Sequence, residues 1–109
     1  MAPNSETSTR ARSLALDILA RSRRAGSGVE EELYAALKRH PALARTERAF
    51  LLELVQGVKR WEIRLDYQLS QVSDLPLRKL HPLVLEILRL AAYQVLRLDR
   101  VPATSFRAV

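Results

Sequence analysis

Apolar residues recur along this chain at the three- and four-residue spacing of helices that each bury one face. Ala11, Leu14, Ala15, Ile18, Leu19 and Ser22 form a first such stripe. Ser8 or Thr9 is placed to cap it, and Ala25-Gly26-Ser27-Gly28 ends it. A second helix is expected from just after Gly28 to about Arg39, with Val29, Leu33, Ala36 and Leu37 inside, and His40-Pro41 stops it. Thr46 offers a cap for a third, whose inner positions Phe50, Leu51, Leu54, Val55 and Val58 continue through Trp61, Leu65, Leu69 and Val72. Gly57 costs about 1 kcal/mol inside a helix, so the pattern is divided into two helices with a break near Arg60 to Ile63. Ser73-Asp74-Leu75-Pro76 then forms a turn, and Leu77 to Leu80 one helical turn.

The most apolar stretch runs from Pro82 to Leu98. Pro82 suits a first helical position, where its missing N–H does no harm. Glu86, Arg89, Gln94 and Arg97 fall in one stripe of about 140°, and leucine, valine, isoleucine and alanine cover the remainder. Such a helix is expected to be the buried centre of the molecule, sheathed by the others. It carries charges and falls below the roughly 20 apolar residues of a membrane span. Beyond it, Asp99 to Pro102 reads as a turn and Ala103 to Val109 as the start of a truncated last helix.

Composition agrees with this pattern. Leucine and alanine dominate, glycine occurs three times, and 109 residues suffice for a single core. The expectation is an all-α domain over residues 9–109, preceded by a disordered polar tail, 1–8. The absence of cysteine excludes disulfides, thiolate metal sites and cysteine nucleophiles. With no signal core in the sequence, a cytoplasmic location is expected.

Candidate chemistry is sparse. The chain has no phosphate loop, dinucleotide fingerprint, HExxH pattern, EF-hand spacing or nucleophile elbow. Glu30, Glu31 and Glu32 complement the dipole of the second helix rather than bind metal. His40 and His81 have no companions at ligand spacing and read as structural. No catalytic or metal-binding residue is therefore expected.

Positive charge is what changes the picture. The net charge is +6 and the pI about 10.5, which favours an anionic partner. The cations gather at Arg10 and Arg12, at Arg21 to Arg24 including Arg23, at Lys59, Arg60 and Arg64, and at Arg78 and Lys79. Clustered Arg and Lys neutralise phosphates and release counterions; the bland alternative for each cluster is a solvated surface. The cations ending helix one also suit the negative end of its dipole, whereas Arg10 and Arg12 oppose the positive end. Trp61 either stacks on a base or, at helical spacing with Val58 and Leu65, belongs to the core.

Two stretches carry a resemblance. Glu47-Arg-Ala-Phe-Leu-Leu-Glu-Leu-Val-Gln-Gly-Val-Lys-Arg60, followed by Leu65-Asp66 and Leu69, resembles the third-helix signature of NusB-like domains. Leu85-Glu-Ile-Leu-Arg-Leu-Ala-Ala-Tyr-Gln-Val-Leu96 with Asp99-Arg-Val-Pro102 is similar to the helix and turn that follow it. With Arg12 to Ala20, the match extends over most of residues 10–109. The Gly57 to Arg60 ending and the Leu-Asp spacing look most like the N-terminal domain of the RsmB (Sun or Fmu) type of rRNA cytosine-5 methyltransferase.

The resemblance implies a helical RNA-binding module, with ribosomal RNA as partner and Arg10 and Arg12 among the contacts. It also implies a catalytic domain in cis that uses S-adenosylmethionine to methylate 16S rRNA, this chain being non-catalytic by itself. The alternative is an antitermination factor that binds nascent RNA with a ribosomal-protein partner. A helical protein-interaction module is a third reading, for which the cations would scatter around the surface. Arg107 departs from the family, which carries a glutamate before its Ala-Val.

Overall fold

The computed structural model describes residues 5–98, and side chains from Thr9 to Arg97. Helix α1 runs from Ser5 to Ala25, α2 from Val29 to Arg39, α3 from Arg45 to Val72 and α4 from Pro82 to Tyr93. A 3-10 turn, Leu77–Lys79, precedes α4, and a wider π turn, Gln94–Leu98, prolongs it. No strand occurs among the described residues, so the fold is the expected all-α bundle. The Asp99 to Pro102 turn, the final helix, Arg107 and the first four residues of the expected tail lie outside the described residues.

The centre of the bundle is the pair α1 and α3. Each packs on α2 and on α4 as well as on the other. Ala11, Ala15, Ile18 and Leu19 of α1 meet Leu51, Leu54, Val55, Val58, Leu65 and Leu69 of α3 in one cluster, closed on one flank by Leu33 and Ala36 of α2. Short alanine side chains at positions 11 and 15, both fully buried, let the two long helices approach closely.

Three local expectations change. Helix α1 begins at Ser5, so Ser8 and Thr9 lie inside it rather than at its cap. Arg10 and Arg12 consequently sit beyond the first turn, where the dipole effect has largely faded. Helix α3 begins at Arg45 after Ala44, not at Thr46, and Glu47 caps it by reaching back: its Oε1 accepts the Ala44 N–H at 2.9 Å.

The third change is that α3 is a single helix of 28 residues, without the break near Arg60 to Ile63. Gly57 has a packing reason to be there. The Tyr93 ring of α4 rests where a side chain at residue 57 would stand, and a Cβ there would lie 2.0 Å from Tyr93 Cζ.

The largest change concerns residues 82–98. Helix α4 covers one side of the α1/α3 pair instead of lying at the centre. Leu90, Ala92 and Tyr93 are buried in the common core, but Leu83, Val84, Ile87 and Ala91 are exposed. The first two members of the polar stripe point inward, Glu86 being 1% exposed and Arg89 6%, while Gln94 is half-buried and Arg97 exposed. Polar residues take the inner face because α1 and α3 present partners for them. The apolar excess stays outside because no other described helix lies on that side. None of the helices is long and apolar enough to cross a membrane among the described residues.

Candidate nucleic-acid interface

The inward stripe of α4 builds a charge cluster that consumes two of the expected RNA contacts. Arg89 grips Asp66 of α3 with both arms, Nε to Oδ1 at 2.7 Å and Nη2 to Oδ2 at 2.9 Å, and its Nη1 reaches Glu86 Oε2 at 3.2 Å. Arg23 of α1 donates to the same Glu86 Oε2 and to Glu62 of α3, and Lys59 Nζ lies 3.5 Å from Glu62. Three cations thus face three carboxylates at the meeting of α1, α3 and α4. Burial works against the charge on Arg23 and on Arg89. The hydrogen bonds and attraction of Glu86 and Glu62 for Arg23, and of Asp66 first for Arg89, outweigh it and hold both guanidinium pKa values above the ordinary value. Arg23 and Lys59 therefore have structural partners: that of Lys59 lies at helical i,i+3 spacing, whereas those of Arg23 are distant in the chain.

The remaining expected contacts fall into four places. Arg10 is 61% exposed at its side chain and lies 3.5 Å from the second oxygen of the Glu47 cap. It lines an open groove of about 420 Å³ with Arg39 and His40 from the end of α2 and with Leu43 behind them. Folding thus adds the guanidinium of Arg39 and the imidazole of His40 to Arg10, a grouping that linear spacing did not reveal, because only the packing of α2 on α1 brings them together. Arg12 sits on another side of α1, where its Nε donates to Gln94 Oε1 at 2.6 Å and its guanidinium lies 5.7 Å from the Phe50 ring.

Arg60 and Arg64 are exposed on α3 with no carboxylate at salt-bridge distance among the described residues. Because the helix is continuous, Tyr67, 61% exposed, joins them on the same stripe, as does Ile63 at 89%. The spacing 60, 64, 67 carried that signal, and the expected break concealed it. Arg78 and Lys79 are exposed on the 3-10 turn. Trp61 is half-buried and its ring is covered by the Arg97 guanidinium, 3.7 Å from the centroid, so it belongs to the packing between α3 and the π turn rather than to a base-stacking platform.

His81 is structural in one respect: its Nδ1 accepts the Leu83 N–H at 3.0 Å and caps α4. Glu30, Glu31 and Glu32 occupy the first turn of α2, and no cluster of His, Cys, Asp or Glu suited to a metal occurs among the described residues. The arrangement has exposed guanidinium groups suited to phosphates.

Comparison with known proteins accords with this geometry. Over 95 residues, 87% of this chain and 21% of the relative, the sequence is 39% identical to a probable ribosomal RNA small subunit methyltransferase B of Synechocystis sp.. Over 60 residues, 55% of this chain and 13% of the relative, it is 38% identical to the protein of the same description in Bacillus subtilis. The chain thus spans about a fifth or less of the length of these curated relatives. No solved structure matches it significantly. The NusB family model matches residues 9–106, which includes all four helices from Thr9 onward, and with the helical bundle described above this shows that the chain belongs to the NusB family.

Proposed function

We infer that this chain is the RNA-binding part of a ribosomal RNA small-subunit methyltransferase, and that it holds rRNA for a catalytic domain in cis that carries the S-adenosylmethionine-dependent cytosine-5 chemistry. The observation that carries the reading is the groove where Arg10, Arg39 and His40 meet across α1 and α2, in a chain of net charge +6 whose relatives are described as methyltransferases of small-subunit rRNA. Further exposed cations stand at Arg60 and Arg64 on α3 and at Arg78 and Lys79 on the turn that follows it. Contacts of this type grip phosphates and follow RNA shape more than sequence. The descriptions of the relatives favour this reading over a free-standing antitermination factor.

The test is a salt titration of binding to a small-subunit rRNA fragment. Replacing Arg10 and Arg39 together by glutamine is expected to weaken binding at low salt and to flatten the dependence of log K on log salt by about one unit for each phosphate no longer neutralised. Absence of affinity at low salt, or an unchanged slope in the double variant, discards the reading.

A further inference from the structure

The aromatic rings that reach the surface of the bundle are not equally engaged. The Arg97 guanidinium lies 3.7 Å from the Trp61 centroid, Lys38 Nζ 4.7 Å from that of Tyr34, and the Arg12 guanidinium 5.7 Å from that of Phe50. Tyr67 differs. It is 61% exposed, and no cation lies over its ring among the described residues. A large planar π face is thus left to solvent near the middle of the longest helix.

That ring stands beside cations that nothing neutralises. Arg60, Arg64 and Tyr67 fall within an arc of about 60° and about 10 Å of helix axis, and Ile63, 89% exposed, borders them one turn before Tyr67. The nearest carboxylates along α3 are Glu62 and Asp66, and both are taken by other elements. Glu62 accepts from Arg23 and lies 3.5 Å from Lys59, and Asp66 accepts both arms of Arg89. Glu53 stands about two turns before Arg60, roughly 10 Å along the axis. The cluster that joins α1, α3 and α4 therefore uses up the acids of this part of α3 and leaves its outer stripe positive. The negative pole of the helix acts within the last turn, which ends at Val72 and lies beyond both arginines.

We propose that this stripe of α3 is a stacking platform for one unpaired base of single-stranded RNA, the base lying on the Tyr67 ring and the adjoining phosphates held by Arg60 and Arg64. Stacking on a phenol makes no demand on base identity, since every base has a π face, and Ile63 supplies apolar surface beside it. Duplex RNA keeps its bases paired and stacked on one another, so it reaches the arginines and not the ring. The inference rests on the RNA-binding reading and adds to it a contact, separate from the Arg10 groove, that distinguishes unpaired from paired strands.

The 109-residue chain is titrated with three probes: oligouridylate, an oligomer of the same length built of abasic riboses, and a fully paired RNA duplex. Tyr67→Ala is expected to weaken oligouridylate binding about tenfold, the worth of one base stack. It is expected to leave the abasic oligomer and the duplex bound as before and the salt slope unchanged, because no phosphate contact is removed. Tyr67→Phe keeps the ring and is expected to bind like the native chain. Arg60→Gln with Arg64→Gln is expected instead to weaken all three probes together. Circular dichroism of the variants checks that these surface changes leave the fold intact. Oligouridylate affinity unchanged in Tyr67→Ala, an equal loss with the abasic oligomer or the duplex, a loss as large in Tyr67→Phe, or no loss in the arginine variant overturns the proposal while salt-sensitive RNA binding persists. Failure of the RNA-binding reading shows differently, as absence of salt-sensitive affinity for every probe in the unsubstituted chain, and overturns this proposal with it.

Discussion

The ring of Tyr93 occupies the space that a side chain at Gly57 would need: a Cβ built on Gly57 falls 2.0 Å from Tyr93 Cζ and 2.2 Å from its hydroxyl oxygen. The glycine is what lets α4 lie flat on α3, and Tyr93, 5% exposed, has little room to withdraw. Gly57→Ala is expected to destabilise the fold by about 1–3 kcal/mol from overpacking, against the gain of up to about 1 kcal/mol that alanine brings to an exposed helix. Urea denaturation measures the sign. Adding Tyr93→Leu is expected to recover part of the loss in the double variant, since the shorter side chain removes the clash.

The same tyrosine sets an alkaline limit. Burial raises its pKa above the ordinary value of 10.0, with Glu53 adding to the shift and Arg60 and Arg97 opposing it. A phenol whose pKa is higher in the folded than in the unfolded state contributes stability in full below pH 10. That contribution disappears as pH rises through the folded value. Denaturation midpoints followed above pH 10 are expected to fall in the native chain, and to fall less in Tyr93→Phe, which has no phenol to ionise.

The carboxylate and guanidinium cluster predicts an order of sensitivity. Arg89 is 7% exposed at its side chain and bonds two carboxylates, whereas Arg23 is 39% exposed. Arg89→Ala leaves Asp66 without the two bonds it accepts and Glu86 with Arg23 alone, and is expected to cost about 3–5 kcal/mol. Arg23→Ala is expected to cost less, because water reaches its site and replaces part of what is removed. Thermal unfolding of the two variants gives the order, and equal losses would contradict it.

The orientation of α4 is tested from its outer side. Ile87 is 45% exposed and Leu90 6%. Ile87→Lys is expected to change the stability of this chain by no more than about 0.5 kcal/mol, as surface substitutions do. Leu90→Lys buries an unpaired charge and is expected to prevent folding. A helix sheathed on all sides would lose its fold with either change, and circular dichroism distinguishes the two cases.

On α3, Arg60→Gln with Arg64→Gln is expected to reduce the salt slope of rRNA binding without lowering the melting temperature, since neither guanidinium has a carboxylate at salt-bridge distance among the described residues. Lys59→Gln is expected to have a weaker effect on the slope, its ammonium lying 3.5 Å from Glu62. Filter binding across a salt series separates the two.

Helical periodicity, breakers and composition determined by themselves that this protein is all-α, where α2 lies, where α4 starts at Pro82, and that Leu51, Leu54, Val55 and Val58 face the core. These are local properties, fixed by three- and four-residue spacing and by backbone restrictions at Gly28, His40-Pro41 and Pro82. The family signatures at residues 47–60 and 85–96 were legible for the same reason. Only the tertiary structure decided which face of α4 turns inward. Its leucines suggested burial on all sides, but the carboxylates and arginines of α1 and α3 drew Glu86 and Arg89 inside, because a charged group is buried only where another element supplies its partner. The continuity of α3 likewise depended on a residue far along the chain, Tyr93 resting on Gly57, and the grouping of Arg10 with Arg39 and His40 on how α2 folds back over α1. A sequence shows which side chains carry charge; which of them are used up by one another, and which are left facing water, is settled when helices distant in the chain are packed together.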